Sequence, residues 1–166
     1  MNEQAPNPEA QGQDQGNEKQ LMLQRIYLKD LSFEAPNAPA IFQGEWQPQN
    51  EMNLNTQVEQ LGDNAYEVVL TVTVSSRIGD KTAFIVEVQQ AAIVGVAGFA
   101  AEEMAPLMGA YVPAQLFPFV REVVADLVSK GSFPQLVLQP VNFDALFMQH
   151  QQELARQAQE TGAAPH

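Results

Sequence analysis

Tyr66-Glu-Val-Val-Leu-Thr-Val-Thr-Val-Ser75, then Arg77-Ile-Gly-Asp-Lys81, then Thr82-Ala-Phe-Ile-Val-Glu-Val-Gln-Gln90 decide the fold. Both long runs repeat with a period of two. Tyr66, Val68, Leu70, Val72 and Val74 share one face of the first, against Glu67, Val69, Thr71 and Thr73 on the other. A short connection containing Gly79-Asp80 returns the second run as an antiparallel partner. In that partner Phe84, Val86, Val88 and Gln90 point one way and Ala83, Ile85, Glu87 and Gln89 the other. One face can therefore bury while the other shows an acid beside an isoleucine.

Working outward, Leu21 to Glu34 alternates as well. Leu23, Arg25, Tyr27, Lys29, Leu31 and Phe33 fall on one face, and Met22, Ile26, Leu28, Asp30 and Glu34 on the other. Pro36 and Pro39 end it. The stretch from Ala35 to Pro48 holds three prolines with Ile41, Phe42 and Trp46 between them, a long connection whose large apolar side chains pack on a body or bind something. Glu51 to Val58 puts Met52, Leu54, Thr56 and Val58 on one side, and Leu61-Gly62-Asp63-Asn64 reads as a turn or bulge. These four strands predict one antiparallel sheet.

Beyond them the period changes. Glu102 to Met108 reads as a short helical turn. From Leu116 to Lys130 the residues Phe119, Val120, Val123, Val124, Leu127 and Val128 fall at helical spacing, with Pro118 in the first turn and Gly131 as the stop. Asn142 is an N-cap for a last helix carrying Phe143, Leu146, Phe147 and Met148. Strands first and helices afterwards predict an α+β fold with two helices on one side of the sheet. Residues 1–20 are almost wholly Asn, Gln, Glu, Gly, Pro and Ala and cannot bury enough apolar area to order themselves. Residues 152–166 start as a helix extension and decay into Thr161-Gly-Ala-Ala-Pro-His. Two flexible tails around a domain at 21–151 are the expectation.

The whole chain has 166 residues, 20 acidic against 8 basic side chains, no cysteine and two histidines, for a formal charge of −12. Without cysteine there is no thiolate metal site, disulfide scaffold or thiol chemistry. The charge repels nucleic acid and anionic lipid and suits a basic partner. No apolar run approaches the roughly 20 residues that span a bilayer, and the start Met1-Asn-Glu-Gln-Ala-Pro lacks the basic and apolar regions of a signal peptide. A cytoplasmic location is expected.

Catalytic arrangements are absent from this pattern. Gly95-Val-Ala-Gly98 lacks the following Lys-Ser/Thr of a phosphate cradle and reads as a close-packed turn. His150 lies near a helix end and His166 is the terminal residue. Glu102 and Glu103 are adjacent carboxylates at a helix start, where the dipole favours them. No nucleophile, base and orienting group come together, and neither a cofactor nor a metal site is expected. The apolar material is more telling: Phe33, Phe42, Trp46, Tyr111, Phe117 and Phe119 are spread over strand, loop and helix edges, with six methionines as adaptable surface.

Longer motifs then become recognisable: Arg25-Ile-Tyr-Leu-Lys-Asp-Leu-Ser-Phe-Glu-Ala-Pro-Asn-Ala-Pro, Trp46-Gln-Pro, Tyr66-Glu-Val-Val-Leu-Thr-Val-Thr-Val, Phe84-Ile-Val-Glu-Val-Gln-Gln, Gly131-Ser-Phe-Pro-Gln-Leu and Pro140-Val-Asn-Phe-Asp-Ala-Leu-Phe. From residue 24 to residue 148 the chain resembles the SecB family of bacterial protein-export chaperones. The resemblance implies a homotetramer, a dimer of dimers, that holds unfolded precursor proteins without ATP and passes them to the SecA translocase. It matches the SecA-facing surface to Asp30, Glu34, Ile85 and Glu87, with Ile85 standing for the family's usual leucine, and the oligomer interface to Val86, Val88 and Gln90. A client groove is expected at Phe42 and Trp46, with Tyr27, Phe33 and Phe119 as further candidates. Two other readings stay open: a SecB-like chaperone of a cytosolic client such as an antitoxin, and an α+β domain that binds one small ligand. Intact Asp30, Glu34 and Glu87 favour the translocase link.

Overall fold

The computed structural model describes residues 18–162. Most of the expected N-terminal tail, and His166, lie outside them. Four long strands form one antiparallel sheet: β1 (Gln20–Glu34), β2 (Gln49–Gly62), β3 (Ala65–Ile78) and β4 (Lys81–Ala97). Their order is β1-β4-β3-β2. β3 and β4 are the central hairpin, closed by Gly79 at φ 62°, a left-handed turn position where glycine has no Cβ to clash. β1 and β2 lie on opposite edges, so the proline-containing segment 35–48 must cross three inter-strand gaps, about 14 Å. It does so at the hairpin end, where the Asn37 side-chain amide donates to the Thr82 carbonyl (2.8 Å) and a short 3-10 turn, Ala40–Gln43, buries Ile41.

The helices cover one face. α1 (Ala101–Pro106), a π-helical segment (Leu107–Tyr111) and α2 (Val112–Lys130) run without interruption. Helical structure thus begins well before Leu116, where the apolar periodicity starts. The π segment has a local cause. Pro113 has no N–H to continue the ladder, and the Val112 N–H reaches back to the Leu107 carbonyl, one residue further than an α-helix requires. α2 then buries Val112, Leu116, Val120, Val124 and Val128 on Val68, Leu70, Val72 and Val74 of β3 and Phe84, Val86, Val88 and Val94 of β4. At roughly 1.5–3 kcal/mol for each fully buried large aliphatic side chain, this layer is the main source of stability. α3 (Phe143–Gly162) is capped by Asn142, whose Oδ1 accepts from the Ala145 N–H (3.0 Å). It is one continuous helix past residue 151, so the tail expected from residue 152 is helical as far as Gly162.

Two corrections concern glycines. Gly95 lies inside β4, paired with Met22 and Ala65, not in a turn; a Cβ there would come within 2.6 Å of Gln24 Nε2. At the end of α2 the left-handed residue is Ser132 (φ 64°), while Gly131 has φ −73°. The N–H groups of Ser132 and Phe133 donate to the carbonyls of Ser129 (3.0 Å) and Val128 (3.2 Å), the two bonds of a Schellman cap with serine where glycine is usual. Gly131 is small for another reason: a Cβ would meet Phe33 Cζ at 2.3 Å. Ser132→Gly is therefore expected to raise stability by up to about 1 kcal/mol in urea unfolding, and Gly131→Ala to lower it by about 1–3 kcal/mol through overpacking.

β1 departs from strict alternation. Its pairing with β4 shifts between Leu23 and Arg25 and again between Leu28 and Asp30, leaving Gln24 and Lys29 as extra residues. Each bulge flips the parity of the residues C-terminal to it. Leu21, Leu23, Ile26, Leu28, Leu31 and Phe33 therefore share the helix side, opposite the inward residues of β4. Arg25, Tyr27, Asp30, Ser32 and Glu34 share the open side. Tyr27 and Phe33, placed together by simple alternation, are on opposite faces.

Candidate functional site

At the hairpin end of the helix face, five aromatic rings converge from four separate parts of the chain. Phe133, just past the Schellman cap of α2, lies 5.0 Å from Phe84 of β4, 5.1 Å from Phe42 and 5.5 Å from Trp46 of the crossover, and 6.3 Å from Phe33 of β1 (ring centroids). Phe33 also stacks on Phe84 at 6.1 Å. The cluster is graded in depth. Phe84 and Phe133 are buried, Phe33 and Trp46 are half-buried, and Phe42 is 48% exposed. A buried floor with an exposed rim suits apolar side chains of varied shape, because stacking and area burial constrain orientation little.

Of the residues expected in a groove, Phe42, Trp46 and Phe33 are brought together here. Tyr27 is not: it sits on the open face with its hydroxyl donating to Glu67. Phe119 is on the exposed side of α2, away from the cluster. Phe133, which holds the cluster together, is absent from the residues expected on sequence grounds. Its only local signal is the Gly131-Ser132 step before it, and nothing in a single sequence ties residue 133 to residues 33, 42, 46 and 84.

A second apolar cleft, of about 240 Å³, lies between β2 and α3. Leu54, Thr56 and Val58 form one wall and Phe143, Leu146, Phe147 and His150 the other. Gly109 of the π segment leaves room for Phe147, whose ring would come within 2.7 Å of a Cβ there.

The open face of the sheet is chemically different. Cross-strand pairing sets Glu34 opposite Ile85, Ser32 opposite Glu87 and Asp30 opposite Gln89, with Thr73 of β3 on the far side of Glu87. Asp30, Glu34, Ile85 and Glu87 thus form one patch. Asp30 and Glu34 are exposed, Ile85 and Glu87 half-buried, and the Thr73 hydroxyl donates to Glu87 (3.1 Å). Among the described residues no ion pair neutralises these three acids. The patch is an apolar residue ringed by uncompensated negative charge.

Val86, Val88 and Gln90, expected at an oligomer interface, are buried within the single chain. They are 0%, 0% and 4% exposed, on the face of β4 covered by the helical layer. Both valines belong to the chain's own core. Within this chain their side chains face α2 and the core.

Further along the open face, Glu67 of β3 is nearly buried and accepts from Lys29 Nζ through both oxygens (2.8 Å each) and from the Tyr27 hydroxyl. These partners hold its carboxyl below the usual carboxylate range, the Lys29 ammonium most strongly and the Tyr27 hydroxyl next. The Tyr27 phenol is pushed up to about 12, first by its hydrogen bond to Glu67 and then by burial and the nearby negative charge. The consequences for pH have opposite signs. Glu67 stabilises the fold fully above its unfolded-state pKa and loses that contribution as pH falls through its lower folded value, so Glu67→Gln is expected to flatten the acid limb of the stability curve. Tyr27 contributes fully below its unfolded pKa and loses this as pH rises towards 12. In a phenolate absorbance titration of the three tyrosines, Tyr27→Phe is expected to remove the latest step.

Glu103 also has a structural role. It accepts from the Ala100 N–H (2.9 Å) at the start of α1 and pairs with Lys19 (2.5 Å). Both contacts lower its pKa, the Lys19 bond most. Among the described residues, no three His, Asp or Glu side chains are grouped to hold a metal ion, and no helix is long and apolar enough to cross a membrane.

Known proteins resemble this chain in sequence and in fold. The protein-export protein SecB of Marinobacter nauticus is 47% identical over 160 residues, covering 94% of this chain and 97% of that protein. The SecB of Methylococcus capsulatus is 48% identical over 154 residues, covering 93% and 98%. Among solved structures, a SecB-like chaperone of Mycobacterium tuberculosis, in complex with a peptide from an antitoxin, superposes with a TM-score of 0.59 at 19% identity, covering 74% of this chain and 90% of that one; it shows the same fold. Residues 14–154 match the family described as preprotein translocase subunit SecB. With that family match over most of its length and two export proteins 47% and 48% identical over nearly the whole of both chains, the chain belongs to the SecB family.

Proposed function

We propose that this chain is an ATP-independent holdase of the cytoplasm that binds unfolded precursor proteins, keeps them competent for translocation and delivers them to the SecA translocase. The observation that carries this reading is the separation of two chemistries onto two sides of one sheet. The aromatic cluster around Phe133, with Phe42 at its rim, takes apolar client segments on the helix side. The patch of Asp30, Glu34, Ile85 and Glu87 takes a basic segment of SecA on the open side. No step requires covalent chemistry. Client binding rests on apolar area removed from water, roughly 25 cal/mol per Å², less the entropy of ordering the client. Release follows from handover.

The domain at 21–151 forms the chaperone body, with residues 1–20 and 152–166 as its extensions. The protein works as a homotetramer, a dimer of dimers. Because Val86, Val88 and Gln90 are buried within the subunit, the assembly uses other surfaces: the unpaired edges of β1 and β2, and the outer side of the helical layer, where Tyr111 and Phe119 are exposed. Several grooves on one tetramer give avidity without a sequence requirement. A light-scattering mass of four chains is the expected result.

The test is the refolding of a denatured, slow-folding precursor without nucleotide. Arrest of refolding by this protein, relieved by SecA, supports the reading. Undisturbed refolding removes the holdase assignment for that client and directs attention to cytosolic clients such as antitoxins.

A further inference from the structure

We infer that Glu67 is a positioning residue for the acidic patch: it draws the Lys29 ammonium across the sheet and so keeps the cation beside Asp30 from neutralising Asp30, Glu34 and Glu87. This role deepens the SecA-docking reading of that face and rests on it for its functional meaning, while the placement of the charges stands without it.

Lys29 adjoins Asp30 in β1 and lies between the pairs Leu28↔Gln90 and Asp30↔Gln89. Seen from there, Glu87 is on the adjoining strand, two positions past Gln89. Glu67 is one strand further away, on β3, and stands opposite Ile93, in the other direction along the sheet. Lys29 Nζ nevertheless bonds both carboxylate oxygens of Glu67, at 2.8 Å each. Asp30, Glu34 and Glu87 have no ion pair among the described residues. In register the patch acids are nearer, and the lysine is turned away from them.

Burial explains the preference. The Glu67 side chain is 11% exposed, so its attraction for an ammonium is screened less than in water, and leaving it unpaired is costly. Asp30 and Glu34 are exposed and offer an ammonium little that water does not. Glu87 already has a donor in the Thr73 hydroxyl (3.1 Å). The crossing is open because Ala91, which stands in β4 between Tyr27 and Val69, is small. The other basic side chains of this face leave the patch alone: Arg77 Nη2 donates to the Asp80 carbonyl of its own hairpin (3.2 Å), and Arg25 is opposite Ile93, six residues along β4 from Glu87. Glu67 thus serves the patch by withholding a positive charge from it.

Carbodiimide treatment joins an ammonium to a carboxylate in contact with it, and peptide mass spectrometry then reads which acid Lys29 holds. In the unaltered chain Lys29 is expected to join Glu67; joining to Asp30 or Glu87 as readily overturns the inference. In Glu67→Gln it is expected to join Asp30 or Glu87. Joining to neither overturns the inference, as does capture by Glu59, the exposed partner of Glu67 in β2. Where Glu67→Gln fails to fold, Glu67→Asp, which withdraws the carboxylate by one methylene, takes its place with the same two outcomes. SecA binding is measured alongside. Glu67→Gln is expected to weaken it about two- to fivefold, the factor for one exposed charge compensated in the patch, with a flatter salt dependence, and adding Lys29→Met is expected to restore both. Glu59→Gln is the control, since it removes one negative charge from the same face without releasing Lys29: weakening equal to that of Glu67→Gln assigns the effect to net charge and overturns the positioning role. Transfer of Lys29 to the patch with SecA binding unchanged supports the positioning and removes the docking reading. Binding weakened in Glu67→Gln with Lys29 joined to neither patch acid overturns the positioning and leaves docking in place.

Discussion

Phe133→Ala is expected to lower the unfolding free energy by about 3–5 kcal/mol and to abolish client arrest. Phe133 is the one ring that touches all the others: Phe84 beneath it, Phe42 and Trp46 from the crossover, and Phe33 from the edge strand. Removing it leaves a cavity that cannot collapse, since the walls belong to β1, β4 and a crossover already tied to Thr82 through Asn37. The thermal midpoint should fall by roughly 10 °C. Phe42→Ala separates stability from binding. Phe42 is 48% exposed, so its loss costs the fold less than about 1 kcal/mol while removing the rim of the groove. Urea unfolding and refolding arrest, measured on both variants, should show Phe133→Ala impaired in both and Phe42→Ala impaired in arrest alone. Normal client arrest in a folded Phe42→Ala, Trp46→Ala double variant would move the groove elsewhere, the cleft between β2 and α3 being the next place to look.

How much of this fold and site is legible in the sequence depends on whether the governing interaction is local. The central hairpin is legible, because a period of two and a Gly-Asp turn are properties of neighbouring residues; β3 and β4 pair as their alternation predicts, and β4 extends seven residues further, to Ala97. The four-stranded antiparallel sheet and the helical second half emerge in the same way. The faces of β1 do not, because a bulge is invisible to alternation: Leu28 and Asp30 look like neighbours on one side, and the extra residue Lys29, fixed by pairing with the distant strand β4, separates them. Asp30 and Glu34 nevertheless come out on the same side, since no bulge lies between them. The same non-locality hides Phe133. For Val86, Val88 and Gln90 parity gives the right direction, and the helical layer decides what they face.

Neutralising the acidic patch with Asp30→Asn, Glu34→Gln and Glu87→Gln is expected to weaken SecA binding by about ten- to a hundredfold at moderate salt, on the basis of roughly 0.5–1 kcal/mol for each exposed charge facing a basic partner. The salt dependence of binding should flatten in parallel, because what is removed is the screened part of the interaction. The fold should not suffer. No ion pair is broken at these positions among the described residues, glutamine at 87 can still accept from Thr73, and three like charges on adjoining strands are relieved of their mutual repulsion. Client arrest without SecA should be unchanged, since the aromatic cluster lies beyond the central strands on the helix side. Ile85→Ala asks a different question of the same patch. Ile85 is the half-buried apolar residue opposite Glu34, and its truncation should weaken binding with little change in salt slope, as expected of an apolar anchor inside a charged rim. Intact SecA-driven release in the triple variant would place the contact outside this face. A matching loss of client arrest would mean instead that the two faces are coupled through β4, whose alternate residues serve both.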